Sequence, residues 1–112
     1  MASTVSLTLI EDDTPLRTWQ ITQAGSPLNL GAATVIMVIK ASQHVEDDAA
    51  TGVYTLAVGS GLTLVDAALG KVEAEIPADV TASPGTWFYK IRVTITGNTE
   101  TAIDGWISIS DA

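Results

Sequence analysis

Side chains suited to chemistry are scarce in this chain, which has one histidine, no cysteine and thirteen carboxylates. His44 sits in a polar stretch, residues 42–52, that reads as a loop. A single imidazole rules out a histidine metal cluster, and a Ser-His-Asp triad would need that loop residue held rigidly. The lack of cysteine removes disulfides, thiolate metal sites and a thiolate nucleophile, and fits assembly in a reducing cytoplasm. The pairs Asp12-Asp13 and Asp47-Asp48, with Glu11 and Glu46, offer the oxygen ligands that calcium takes. Neither run has the alternating carboxylates and central glycine of a calcium loop, so both read as solvated loop charge. Glu73 and Glu75 share a strand face, but hydrolysis by paired carboxylates needs both in one cleft with their pKa values pushed apart. Lys71 beside them marks an ordinary wet surface. The glycines punctuate turns, and none forms a phosphate cradle between a strand and a helix. The expectation is a non-enzymatic protein with no catalytic residue, no metal site and no cofactor.

Binding chemistry then rests on the aromatic residues, and these are placed by strand periodicity. Val5, Leu7 and Leu9 alternate with Ser6 and Thr8; Trp19 and Ile21 alternate with Thr18, Gln20 and Thr22; Val72, Ala74 and Ile76 alternate with Lys71, Glu73 and Glu75. Period-two alternation broken by Gly, Pro, Asn and Asp predicts an all-β chain, a sandwich or barrel. Residues 33–39, ATVIMVI, are apolar on both alternating sets, as expected for a central strand with both faces covered. Residues 66–69 are expected to form one helical turn before Gly70, and Asp79 to cap another before Pro84. Residues 1–112 read as a single domain, since the connections look like turns and loops and a chain of this length can bury its own core.

The last two strands carry most of the information. From Gly85 onward the odd positions Trp87, Tyr89, Ile91, Val93 and Ile95 are apolar, and so are Ile103, Ile107 and Ile109 in the next run. Trp19 and Trp87 are expected in the core. Phe88 and Trp106 fall on the opposite face, among Lys90, Arg92, Thr94, Asp104, Ser108 and Ser110. A two-residue turn at Gly97-Asn98 would send one apolar set into water, so a connection through Gly97-Asn98-Thr99 is expected instead. That register sets Tyr89 opposite Ile107 and Val93 opposite Ile103. On the other face it sets Lys90 opposite Trp106, Arg92 opposite Asp104, and Phe88 diagonal to Trp106. A cation over the indole would contribute about 0.5–1 kcal/mol, and the ion pair about 0–1 kcal/mol. Such a patch serves either as cross-strand stabilisation or as a contact surface. The candidate partner-binding residues are Phe88, Lys90, Arg92, Asp104 and Trp106.

A net charge of −8 repels nucleic-acid phosphates and anionic membrane surfaces, so neither is expected as a partner. The N-terminal residues lack the pattern of a secretory leader, and no segment has the apolar length of a membrane span.

Asp13-Thr14, Trp19-Gln20-Ile21, the stretch GSPLNLGAATVIMVIK and the later IPADVTASPGTWFYKIRVTITGN together resemble a known pattern. It is that of the small immunoglobulin-like domains of tailed-phage virion proteins, in particular the N-terminal domain of the phage baseplate upper protein. Leu30-Gly31-Ala32 matches a step into an apolar strand, and residues 84–89, PGTWFY, match a step into a long strand that hairpins back through a glycine turn. The similarity spans about residues 13–110. It implies an all-β, immunoglobulin-like antiparallel β-sandwich of about seven to eight strands, with no catalytic or metal-binding residue carried over. Baseplate upper proteins continue into further domains where this sequence ends at Ala112. A free-standing copy is therefore expected to be a capsid-decoration, tail or baseplate accessory subunit. Such a subunit would be assembled in the host cytoplasm into the virion, docked on other virion proteins, and homo-oligomeric or part of a symmetric assembly. The alternative is a carbohydrate-binding or adhesion module in which Trp106 and Phe88 stack on sugar faces.

Overall fold

The computed structural model describes residues 3–11, 16–23, 25–41, 53–82 and 84–110. His44 and the carboxylates Asp12, Asp13, Glu46, Asp47 and Asp48 lie outside the described residues.

The strands are β1 (Ser3–Thr4), β2 (Leu7–Ile10), β3 (Leu16–Gln20), β4 (Thr22–Gln23), β5 (Ser26–Pro27), β6 (Thr34–Lys40), β7 (Val53–Val58), β8 (Gly61–Asp66), β9 (Lys71–Glu75), β10 (Gly85–Ile95) and β11 (Asn98–Ser110). Nine of them form one sheet in the order β1-β11-β10-β6-β7-β8-β9-β3, with β2 also on β11; β4 and β5 make a separate ribbon. The sheet curls into a half-barrel, so that Trp19 on the edge strand β3 meets Tyr89 on β10 with ring centroids 5.7 Å apart. The fold is the expected all-β sandwich. Most pairings are antiparallel, but β1 and β2 lie parallel to β11, and β7 lies parallel to β8. The corner between the two arms falls at β7–β8, where only Ala57↔Gly61 and Val58↔Leu62 pair.

Alternation accounts for the core. Tyr89, Ile91 and Val93 of β10, Val35, Met37 and Ile39 of β6, Ile103, Ile107 and Ile109 of β11, and Val72 and Ala74 of β9 are buried against Trp19 and Leu62. β6 lies between β10 and β7, and its second face is also covered: Val38 is 2% exposed and Ile36 half-buried. The doubly apolar run is thus a central strand, as expected.

The two short helical segments follow their predicted positions with one correction. Ala67–Leu69 forms a single 3-10 turn whose N-cap, Asp66, accepts from the Leu69 amide at 3.3 Å, with Gly70 closing it in the left-handed conformation. Ala78–Thr81 forms one α-helical turn, α1, but Pro77 occupies the N-cap position and Asp79 lies inside the first turn. Asp79 is therefore a first-turn acid, stationed where the helix dipole favours negative charge, and does not cap.

The β10–β11 register differs from the sequence expectation. Phe88 pairs with Trp106, Tyr89 with Gly105, Lys90 with Asp104 and Ile91 with Ile103. The expected register keeps the same faces together but is displaced by two residues, and face parity cannot tell the two apart. At the hairpin, Ile95 pairs with Asn98, leaving a two-residue Thr96-Gly97 turn. Both turn residues have positive φ, 51° and 81°, which makes a type I′ turn. The parity fault this turn introduces is absorbed by a bulge at Ala102, between the pairs Ile91↔Ile103 and Arg92↔Thr101. Threonine is a poor residue for left-handed backbone because its branched Cβ crowds the carbonyl. Replacing Thr96 with Asn, which suits the first position of a type I′ turn, is expected to stabilise the protein by about 1 kcal/mol. Thermal melts of Thr96→Asn and the parent check this; an unchanged or lower midpoint removes strain at Thr96 from the account.

Candidate docking face

Three rows of side chains cross the outward face of β11, β10, β6 and β7. Trp106, Phe88, Lys40 and Val53 form the first row; Asp104, Lys90, Val38 and Thr55 the second; Thr101, Arg92, Ile36 and Ala57 the third. The ladder fixes these neighbours because directly opposite residues of paired strands project to the same side.

Phe88 and Trp106 are in direct cross-strand contact, not diagonal. Their centroids lie 5.3 Å apart with planes at 69°, an edge-to-face pair. Phe88 is half-buried between Trp106 and Lys40, whose Nζ stands 5.8 Å from the ring centroid. Trp106 is 41% exposed, so part of the indole meets solvent. The cation at the aromatic row is thus Lys40, where the sequence expectation had Lys90 facing Trp106. Lys90 instead lies opposite Asp104, and Arg92, expected opposite Asp104, lies opposite Thr101. The two-residue displacement of the register causes both corrections. Asp104 also accepts a hydrogen bond from Thr4 Oγ1 at 2.9 Å, which ties the face to β1.

Lys40 is the member of this face that sequence reasoning missed. It is 4% exposed, rare for a lysine. Its parity with Ile36 and Val38 was the available signal, but adjacency of β6 to β10 had to be known before that parity meant anything. Lys40, Lys90 and Arg92 make three of the chain's five basic residues on one face of a protein with net charge −8. Lys40 is buried within this face, while Lys90 and Arg92 are half-buried beside Asp104 and the exposed Trp106.

On the opposite side of the same strands, hydrogen bonds tie the core together. Trp19 Nε1 donates to the Tyr89 hydroxyl at 3.2 Å, and that hydroxyl donates to the Val5 carbonyl. Tyr89 is fully buried and Trp19 is 5% exposed. The relay joins β3, β10 and the β1–β2 junction across the core. Burial pushes the Tyr89 hydroxyl above its ordinary pKa; the Trp19 hydrogen bond acts the other way, and the charge of Asp104 adds to the rise. Trp87 is half-buried, packed against the core and 5.7 Å from Tyr54. Of three consecutive aromatic residues, two therefore serve the interior and Phe88 serves the outer face.

Glu73 and Glu75 lie opposite Thr18 and Leu16 of β3, along a polar cleft that also includes Thr63. Among the described residues, no three His, Cys, Asp or Glu side chains gather where they would hold a metal ion. Also among the described residues, no helix is long and apolar enough to cross a membrane.

No protein-family model matches the chain, and no curated protein matches it. Among solved structures it is similar to the N-terminal domain of phage TP901-1 ORF48, with a TM-score of 0.63. The likeness covers 96% of this chain and 94% of that one at 13% sequence identity, which makes it a likeness of fold. The resemblance to a small phage N-terminal domain, first drawn from turn and core motifs, is matched by the architecture over nearly the whole chain.

Proposed function

We propose that the protein is a non-enzymatic structural subunit of a phage virion that docks on other virion proteins through the outer face of β10 and β11. The observation that carries this reading is the Phe88–Trp106 edge-to-face pair with Trp106 exposed, set beside Lys40, Lys90 and Arg92. The fold likeness to a phage protein domain supplies the setting. Aromatic anchors beside cations are the composition of interface hot spots. Apolar burial at about 25 cal/mol per Å2 would supply affinity, and the charges would orient an acidic partner surface. A capsid-decoration, tail or baseplate position is compatible with this mode, as is a symmetric oligomer that hides the patch on every copy.

The test is the double variant Phe88→Ser with Trp106→Ser, scored by incorporation into particles and by oligomer mass. The expected result is loss of incorporation with the fold retained. Unchanged incorporation and mass would remove this face from the interface.

The exposure of Trp106 favours one other reading, a carbohydrate-binding module in which the indole stacks on a sugar. Isothermal titration with host cell-wall polysaccharide separates the two. A docking subunit gives no saccharide heat, whereas a saccharide-binding module gives heat that Trp106→Ser abolishes.

A further inference from the structure

A cavity of about 540 Å3 opens at the tip of the β10–β11 hairpin, on the side away from the aromatic face. Its floor is apolar, built from Ile21, Leu28, Val93 and Ile95. Its rim is polar, and the rim's one charged group is Glu100. The bulge at Ala102 puts Glu100 there. Beyond the bulge the parity of β11 reverses, so Glu100 pairs with the buried Val93 and faces the concave side. An apolar floor with one carboxylate at its rim fits an apolar side chain accompanied by a cation.

This chain carries such a pair on its own surface. Among the described residues, Leu16 is the most exposed large apolar side chain, at 55%, and the only one of that group whose chain neighbour is basic. It lies on β3, at the far end of the sheet order from β11. Leu16 and Arg17 alternate in direction along the strand, but Arg17 Nη1 donates to the Leu16 carbonyl at 2.9 Å, which draws the guanidinium back to the Leu16 backbone.

We infer that the hairpin-tip cavity receives Leu16 of a second copy of this chain, with Arg17 of that copy paired to Glu100. The contact joins two different patches, so it is head-to-tail and propagates into a ring or a filament. It uses neither Phe88 nor Trp106, and it stands or falls separately from the docking face.

The experiment is sedimentation over a concentration series, with disulfide trapping as the second readout. Self-association is expected, weakened about tenfold or more by Leu16→Asp and about fivefold by either Glu100→Arg or Arg17→Glu alone. A mixture of the two charge reversals is expected to associate more tightly than either alone. Because the chain has no cysteine, Leu16→Cys and Asn98→Cys preparations can be mixed under mild oxidation, since Asn98 lines the cavity opposite Ile95, and the mixed disulfide is expected to outrun either self-disulfide. A monomer at millimolar concentration would overturn the inference. So would association that ignores Leu16→Asp and the charge exchange, or the absence of preferential mixed disulfide.

Discussion

Gly105→Ala is expected to lower stability by about 3 kcal/mol or more, at the upper end of overpacking costs, and to lower the melting midpoint by about 15 °C. A Cβ at this position would stand 2.0 Å from the Val5 carbonyl oxygen, 2.7 Å from its carbon and 3.1 Å from the Tyr89 ring. The nearest of these are backbone atoms, so no rotamer change relieves the clash. Gly105 is not among the residues with positive φ; glycine is needed there for the close approach of another chain segment and not for its own conformation. That approach is what seats the β1–β2 junction, where the Val5 amide donates to the Asp104 carbonyl at 2.8 Å. Thermal melts and amide exchange at Val5 are the measurements. A melt within a degree or two of the parent, with Val5 still protected, would show that the crossing relaxes freely.

Tyr89→Phe is expected to cost about 2–3 kcal/mol although it removes a single oxygen. The hydroxyl accepts from Trp19 and donates to Val5, and its loss leaves the buried indole N–H without its partner and the Val5 carbonyl without this donor. The effect also has a pH signature. The folded-state pKa of Tyr89 lies above the ordinary tyrosine value, because the interior favours the neutral phenol. Its contribution is therefore fully present below the unfolded pKa and is lost as pH rises through the folded value. Urea titrations of parent and variant at a series of pH values should show a constant gap up to about pH 10 that closes above it. A gap independent of pH in that range would mean that the hydroxyl is not the group responsible.

The strands themselves were legible because period two is written directly in runs such as residues 87–95 and in the doubly apolar residues 33–39. The register of the final hairpin was not. The requirement that both apolar sets share one face is satisfied equally by the expected register and by the observed one, and the deciding device was a pair of compensating irregularities. Thr96 in left-handed backbone is a choice sequence preference argues against, and a bulge at Ala102 leaves no mark in a run where small and polar residues surround it. The five candidate residues were placed on the correct face but with the wrong neighbours, and Lys40 was absent because strand adjacency is a tertiary fact. The break between β1 and β2 was hidden for the same reason. Val5, Leu7 and Leu9 read as one strand, yet Val5 is 38% exposed and Leu9 is buried, since the chain steps over Gly105 between them.

The parallel seating of the opening strands on the closing one has a temporal consequence. Thr4 and Asp104 are joined across 100 positions of sequence, and β2 lies along the last residues of β11. During synthesis on a ribosome the opening segment emerges first, and its hydrogen-bonding edge is made last. Non-local closure of this kind slows folding and leaves intermediates with unpaired strand edges. Intermediate species should therefore hold β8 with β9 and β10 with β11, whose partners are close in sequence, while the leading segment still wanders. Of the paired strands, β1 and β2 wait longest for their partner.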